Sequence, residues 1–239
     1  MLNKYIFISF IHSVNLSLKG GLDRPILTLT FDDASRTQFI NGWPIMQKYG
    51  LLGTFYITTD RLDGIRGMLP EEVTVLYKAG NHIGSHSVSH PNLADISSHK
   101  IYDEISQSQR YLQKLLDIPI RDFALPYGIY NNSVLSQIKK NYRSNRTTQV
   151  GYNTKWNLNL HKIRTMTIVD NTSVIEIVDW INKAKKNNYW LVFLYHNIEK
   201  NPNKWGISPE KFDKQLSVIK NSGIPIVTLD QAITEIIPK

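Results

Sequence analysis

The chain has 239 residues, a length that suits a single α/β domain with a sizeable core, and its apolar (41%) and charged (20%) fractions are those of a globular protein. The absence of cysteine excludes disulfides, thiolate nucleophiles and Cys-based zinc sites, and the lack of any run of 18 apolar residues excludes a membrane-spanning helix in the sequence given. The formal charge is +8, and residues 123–169 contain no Asp or Glu while holding Lys139, Lys140, Arg143, Arg146, Lys155, Lys162 and Arg164. That segment reads either as an attraction for an anionic surface or polymer or as the solvated face of a basic protein. No nucleic-acid motif accompanies it, so nucleic acid is not an expected partner.

In chain order, residues 1–25 are read as an N-terminal extension and 26–239 as the folded domain. Within the extension, Lys4 followed by Tyr5–Ile11 resembles the core of a signal peptide, but no small-residue cleavage site follows; a short β-rich segment is the other reading. Ile26–Phe31 is a predicted strand, Gln38–Lys48 a helix, Gly53–Ile57 a strand, and Pro70–Ala79 a helix opened by proline and backed by acids. His82–Ser85 is the third strand. A long helix over Ser97–Asp117 follows, its buried stripe marked by Ile101, Ile105, Leu112, Leu115 and Leu116. Phe123–Leu125, Tyr142–Arg146, Ile163–Val169, Trp190–Tyr195 and Pro225–Thr228 are the later strands. Helices over Ser133–Lys140, Ser173–Lys186, Ser208–Ser222 and Leu229–Ile236 alternate with them.

Seven or eight β-α units in succession predict a parallel sheet closed, or nearly closed, as a barrel, with an open doubly wound sheet as the competing topology. No G-x-G-x-x-G follows any strand, so nothing supports dinucleotide binding. In a barrel of this kind the site lies at the C-terminal ends of the strands. Asp32 and Asp33 end the first strand, His86 and His90 follow the third, and Pro126-Tyr127-Gly128 follows the fourth. Asp170 and His196 each follow a late strand. All of them are expected on one face.

Adjacent carboxylates repel and are costly beside an apolar strand unless a cation or proton relieves them. Neighbouring strand residues also point to opposite faces, so Asp32 and Asp33 share a site only where the pleat ends. The alternative is a helix N-cap beside an exposed acid. His86 and His90 are spaced by four, which sets two imidazoles on one side of a turn; two surface histidines on a polar loop are the bland reading. Two neutral nitrogens and one carboxylate suit Zn²⁺ or a similar divalent ion.

These residues resemble the polysaccharide deacetylases that share the NodB homology domain, carbohydrate esterase family 4. The resemblance is carried by Thr30-Phe31-Asp32-Asp33, by Ser85-His86-Ser87-Val88-Ser89-His90-Pro91, by Phe123-Ala124-Leu125-Pro126-Tyr127-Gly128 and by Leu194-Tyr195-His196. It implies a distorted (β/α) barrel of seven or eight units that removes acetyl groups from N-acetylated glycans. It further implies that Asp33, His86 and His90 hold a divalent metal, Zn²⁺ first, with Co²⁺, Ni²⁺ or Mn²⁺ as alternatives. Asp32 would be the catalytic base, the Tyr127 backbone N–H an oxyanion donor and His196 the general acid. An extracellular or cell-envelope setting goes with the family.

Two departures stand out. Many members carry arginine after the phenylalanine of the third motif, where it orients the base; this chain has Ala124, and Arg121 or Arg164 are the candidate replacements. The Asp-x-x-Asp-Trp pattern that tunes the acid histidine is absent in clean form. Asp179-Trp180 resembles it but falls in mid-helix, so Asp170 is the better-placed candidate. Pro126, Tyr130, Trp156 and Trp205 are candidate sugar contacts, with Trp205 preferred. Deacylation of a non-polymeric amide, and a glycan-binding protein that keeps the metal without turnover, are the competing functions.

Overall fold

The computed structural model describes residues 22–237, so the signal-like stretch Tyr5–Ile11 lies outside the described residues. Seven strands form one closed barrel: β1 (Ile26–Phe31), β2 (Thr54–Ile57), β3 (His82–Ser85), β4 (Asp122–Ala124), β5 (Ser144–Val150), β6 (Ile163–Thr167) and β7 (Trp190–Tyr195). Every neighbouring pair is parallel, and β7 closes on β1 along six residue pairs from Ile26–Trp190 to Phe31–Tyr195. The open-sheet alternative is thereby excluded.

The helices are α1 (Trp43–Lys48), α2 (Pro70–Lys78), α3 (Ser98–Leu116), α4 (Asn132–Asn141), α5 (Val174–Asn187), α6 (Pro209–Asn221) and α7 (Leu229–Ile236). The single helix predicted over Gln38–Lys48 is instead a π-turn at Gln38–Gly42 running into α1. Pro44 accounts for the break, because its ring crowds the preceding turn and it offers no N–H.

The predicted eighth strand, Pro225–Thr228, is reduced to one bridge between Ile226 and Leu27. β2 pairs with β1 only from Thr30 onward, so the lower edge of β1 is free there. The segment fills that gap: the Leu27 N–H donates to the Pro225 carbonyl (2.9 Å) and the Val227 N–H to the Leu27 carbonyl (2.9 Å). The chain then enters α7, whose Leu229, Ala232 and Ile233 cluster with Ile26, Tyr56 and Trp190 inside the N-terminal end of the barrel.

Alternation along β1 sorts its side chains. Leu27, Leu29 and Phe31 join the layer between sheet and helices, where Phe31 stacks on Phe55 with centroids 4.6 Å apart. Thr28 accepts the Trp190 indole N–H (3.0 Å), which turns the even-numbered residues, and so Asp32, toward the interior. On β3, Gly84 is required by close approach: a Cβ there would lie 2.5 Å from the Tyr56 ring. The interior is therefore filled at the N-terminal end and left open where the strands finish.

Candidate active site

Short segments at the strand ends build the cleft, and three of them, after β1, β3 and β4, need backbone that an ordinary strand or helix does not provide. Among the described residues seven non-glycine residues have positive φ, and five belong to these segments: Asp33 (76°), Ala34 (54°), Ser87 (66°), His90 (61°) and Tyr127 (57°). The other two, Asp117 and Asn188, are left-handed C-caps of α3 and α5. Strain of this kind persists only where the surroundings over-determine it, and its concentration here marks the functional end of the barrel. At Asp33 the effect is direct. The turn out of the extended conformation lets Asp32 and Asp33 face one cleft although they are sequence neighbours.

Asp33, His86 and His90 bring three ligand atoms within 4.8 Å of one another. His90 Nε2 lies 3.3 Å and His86 Nε2 3.7 Å from Asp33 Oδ1, and that oxygen is buried without a hydrogen bond. His86 Nδ1 sits 2.7 Å from the Ala124 carbonyl, which can only accept. Nδ1 therefore carries a proton, and Nε2 is the ring nitrogen that faces Asp33. Burial, reinforced by His86, pushes the His90 imidazole down to about 4 against the pull of Asp33, so His90 is neutral near pH 7. A carboxylate oxygen that accepts no hydrogen bond, facing two imidazoles, is a donor set that fits a divalent cation. The Arg61 guanidinium also reaches Asp33 Oδ1, at 3.0 Å, from the loop after β2.

Asp32 is buried beside this set, with Oδ2 3.5 Å from His86 Nε2. Both of its oxygens accept from Nη2 of Arg146, whose side chain is fully buried. Burial would push the Asp32 carboxyl up, but Arg146, followed by His86 and His196, more than offsets it and holds the group below its ordinary value. This corrects the expectation for the missing cation. Arg121 precedes β4 at the opposite end of the barrel, and Arg164 turns its guanidinium to the Val150 carbonyl (3.4 Å). Arg146 is instead the cross-strand partner of Ala124, so the cation stands one strand over at the same level. The methyl of Ala124 leaves room for it, and the guanidinium lies over the Tyr56 ring at 5.3 Å.

A second residue of the site that the sequence does not single out is Gln38, buried in the π-turn. Its Nε2 donates to the carbonyls of Asp32 and, at 3.2 Å, of His196, tying the ends of β1 and β7 together. His196 lines the cleft. Burial lowers its pKa although Asp32 and Asp33 oppose the shift. Trp205 faces it with ring centroids 6.1 Å apart. Tyr127 packs edge-on against His90 at 4.6 Å and keeps 57% of its surface exposed. The resulting cleft holds about 530 Å³.

The remaining candidates fall elsewhere. Asp170 pairs with Lys211 (2.8 Å) on α6 and does not reach His196, whose acidic neighbours are Asp32 and Asp33. Trp180 packs toward Phe193 in the outer layer. Pro126 is buried and shapes the turn that presents Tyr127. Tyr130 rests on the core under Lys162 (5.2 Å) and is not among the residues lining the cleft. Trp156 follows Asn153, which bridges to the first residue of β7 and so belongs to the closed end. The basic segment is partly neutralised, since Arg143 pairs with Asp122 and Asp230 and Arg146 with Asp32. Among the described residues no helix is long and apolar enough to cross a membrane.

Comparison with known proteins places the barrel among known folds. The family model described as polysaccharide deacetylase matches residues 19–143. Over 121 residues, 49% of this chain and 24% of the relative, the sequence is 29% identical to the peptidoglycan-N-acetylmuramic acid deacetylase PdaC of Bacillus subtilis (strain 168). Over 136 residues, 51% of this chain and 47% of the relative, it is 28% identical to a poly-beta-1,6-N-acetyl-D-glucosamine N-deacetylase of Staphylococcus aureus. The chain thus spans less than half the length of these relatives. The barrel is similar to a family 4 acetyl xylan esterase from Clostridium thermocellum solved with a cobalt ion, at a TM-score of 0.65 and 19% identity, covering 87% of this chain and 90% of that one. With half of its length matched by the family model and its barrel shared with the solved esterase, this chain belongs to the polysaccharide deacetylase family.

Proposed function

We propose that residues 26–239 form a metal-dependent N-deacetylase that releases acetate from poly- or oligosaccharides containing N-acetylglucosamine. The observation that carries the reading is the pairing of two carboxylates with two different fates. Asp33 turns an oxygen that accepts no hydrogen bond toward two imidazoles, while Asp32 beside it is held by Arg146. One acid is thus prepared for a cation and the other kept ionised to accept a proton. Similarity to a poly-beta-1,6-N-acetyl-D-glucosamine N-deacetylase, and a cobalt ion in a structure of the same fold, support the assignment.

Asp33, His86 and His90 would hold the ion. Two imidazole nitrogens and one carboxylate favour Zn²⁺, with Co²⁺, Ni²⁺ or Mn²⁺ as the other choices. When bound, a divalent ion supplies Lewis acidity that polarises an acetamide carbonyl and acidifies water. Asp32 takes the proton of the attacking water, its own carboxylate form secured by Arg146. The Tyr127 N–H, presented by the strained turn after β4, donates to the developing oxyanion; a preorganised donor of this kind contributes roughly 3–4 kcal/mol. His196, lining the cleft with the base, gives a proton to the leaving amine. Trp205, half exposed at the mouth, offers a flat face to a sugar ring.

Acetate release should be measured on chitooligosaccharides and on poly-N-acetylglucosamine, with and without chelator. Metal-dependent release from either is expected. Loaded protein that binds both glycans and releases nothing overturns the enzymatic reading in favour of a binding protein, and release confined to small non-glycan amides overturns the substrate.

A further inference from the structure

The loop that carries His90 has a backbone that cannot stand without help. Between His86 and His90, Ser87 and His90 both adopt positive φ, and neither is glycine. Its carbonyls are taken on one side by the loop after β2: the Thr59 N–H donates to Ser87 (3.2 Å) and the Asp60 N–H to Val88 (3.0 Å). The His90 N–H donates to Ser87 Oγ (3.0 Å). That leaves the N–H groups of Val88 and Ser89, which no helix or strand can satisfy in this conformation.

Glu104, seven residues into α3, takes both. Its Oε2 accepts from Val88 N and Ser89 N at 2.9 Å each, and its Oε1 accepts from Ser89 Oγ at 2.6 Å. Three donors converge on one carboxylate, and charge-assisted bonds of this type are about twice as strong as neutral ones. α3 is a long, well-anchored helix, with Ile101, Ile105 and Leu112 buried against the barrel. It therefore offers a rigid post that a loop alone lacks.

We propose that Glu104 is a positioning residue for the metal site: it fixes the Ser87–Ser89 turn so that His90 Nε2 meets Asp33 and His86. The inference rests on the reading of Asp33, His86 and His90 as a metal site. Glu104 does not touch the cation or the substrate. Its effect is on how much of the folded population has His90 aimed correctly, and so on metal affinity before it is on turnover.

The test is Co²⁺ titration of the full chain against a chromophoric chelator, with the visible spectrum of bound Co²⁺ recorded as a reporter of ligand geometry. Glu104→Ala is expected to weaken Co²⁺ binding by about 10- to 100-fold, the usual effect of removing a group that orients a ligand, and to alter the spectrum. Glu104→Gln keeps one acceptor oxygen for the two N–H groups and is expected to recover most of the affinity. Should Glu104→Ala fail to fold, Ser89→Ala, which removes one of the three donors, is expected to weaken Co²⁺ binding measurably while leaving the melting of the metal-free protein nearly unchanged. Affinity and spectrum equal to wild type in folded Glu104→Ala, or in Ser89→Ala where Glu104→Ala does not fold, overturn the role of Glu104 alone. Failure of the wild-type chain to take up Co²⁺ overturns the metal reading itself and the inference with it.

Discussion

Replacing Arg146 by methionine removes the charge that holds Asp32 while keeping most of the volume. Both partners are buried, the guanidinium completely and the carboxylate nearly so. At an effective dielectric of about 20, two unit charges about 4 Å apart attract by about 4 kcal/mol, and breaking a buried pair by deleting one partner costs roughly 3–5 kcal/mol. For a domain of this size each kcal/mol lowers the melting temperature by roughly 2–4 °C, so Arg146→Met is expected to melt about 10 °C below wild type. Adding Asp32→Asn to it relieves the unpaired charge, so the double variant recovers part of the loss, and the cycle isolates the pair from the packing against Tyr56. Catalysis should move with it. Without the guanidinium, burial prevails and pushes the Asp32 carboxyl up, so the acid limb of the pH–kcat profile shifts to higher pH. The assay is acetate release across pH on metal-loaded protein, with melting followed by circular dichroism. A melting point within about 2 °C of wild type and an unmoved acid limb would refute the claim that Arg146 holds the base.

Three further outcomes follow from the geometry. His86→Ala removes one of two nitrogen donors and should abolish stoichiometric metal uptake, measured by elemental analysis after dialysis, whereas retention of a full equivalent would remove His86 from the ligand set. Trp205→Ala should raise KM roughly fivefold, equivalent to about 1 kcal/mol of stacking, with kcat little changed; a fall in kcat alone would argue against a sugar platform. At the closed end, burial pushes the Asp122 carboxyl up, but the hydrogen bond from His82 (2.8 Å) and the Arg143 guanidinium outweigh it and hold the group at about 2. A depressed folded value contributes stability that is full above about pH 4 and lost as pH falls toward about 2, here about 2 kcal/mol. Urea melts between pH 5 and pH 2 should show that loss in wild type and a flatter profile in Asp122→Asn.

Much of the barrel was legible because strand and helix periods alternate cleanly from Ile26 to Tyr195. Local alternation fixed β1 and β7 to the residue, and the strand-end rule put Asp32, Asp33, His86, His90, Tyr127 and His196 on one face. The failures share a cause: they depend on which distant strands become neighbours. Pro225–Thr228 has the composition of a strand, but β7 had already closed on β1, leaving only the gap below β2. Asp170 follows β6 as read, yet Lys211 of α6 claims it. Arg146 lies 114 residues from the acid it holds. One signal does exist: the sequence predicts a strand over Tyr142–Arg146 with Arg146 at its C-terminal end, where the rule that selects the other residues also applies. Gln38 and Glu104 gave no such signal, since a buried glutamine in a helical turn and a polar residue on a helix face look ordinary until their partners fold over them.

The division of labour between the two aspartates is tested most directly by Asp32→Asn, assayed for acetate release after loading with one equivalent of Zn²⁺. The substitution leaves Arg146 without its anion, so some loss of stability is expected and the assay is run well below the melting temperature. The account predicts that the variant keeps its zinc through Asp33, His86 and His90 and releases acetate at least about 10²-fold more slowly than wild type, the usual consequence of removing a general base. Loss of the zinc, or acetate release at the wild-type rate, would contradict it.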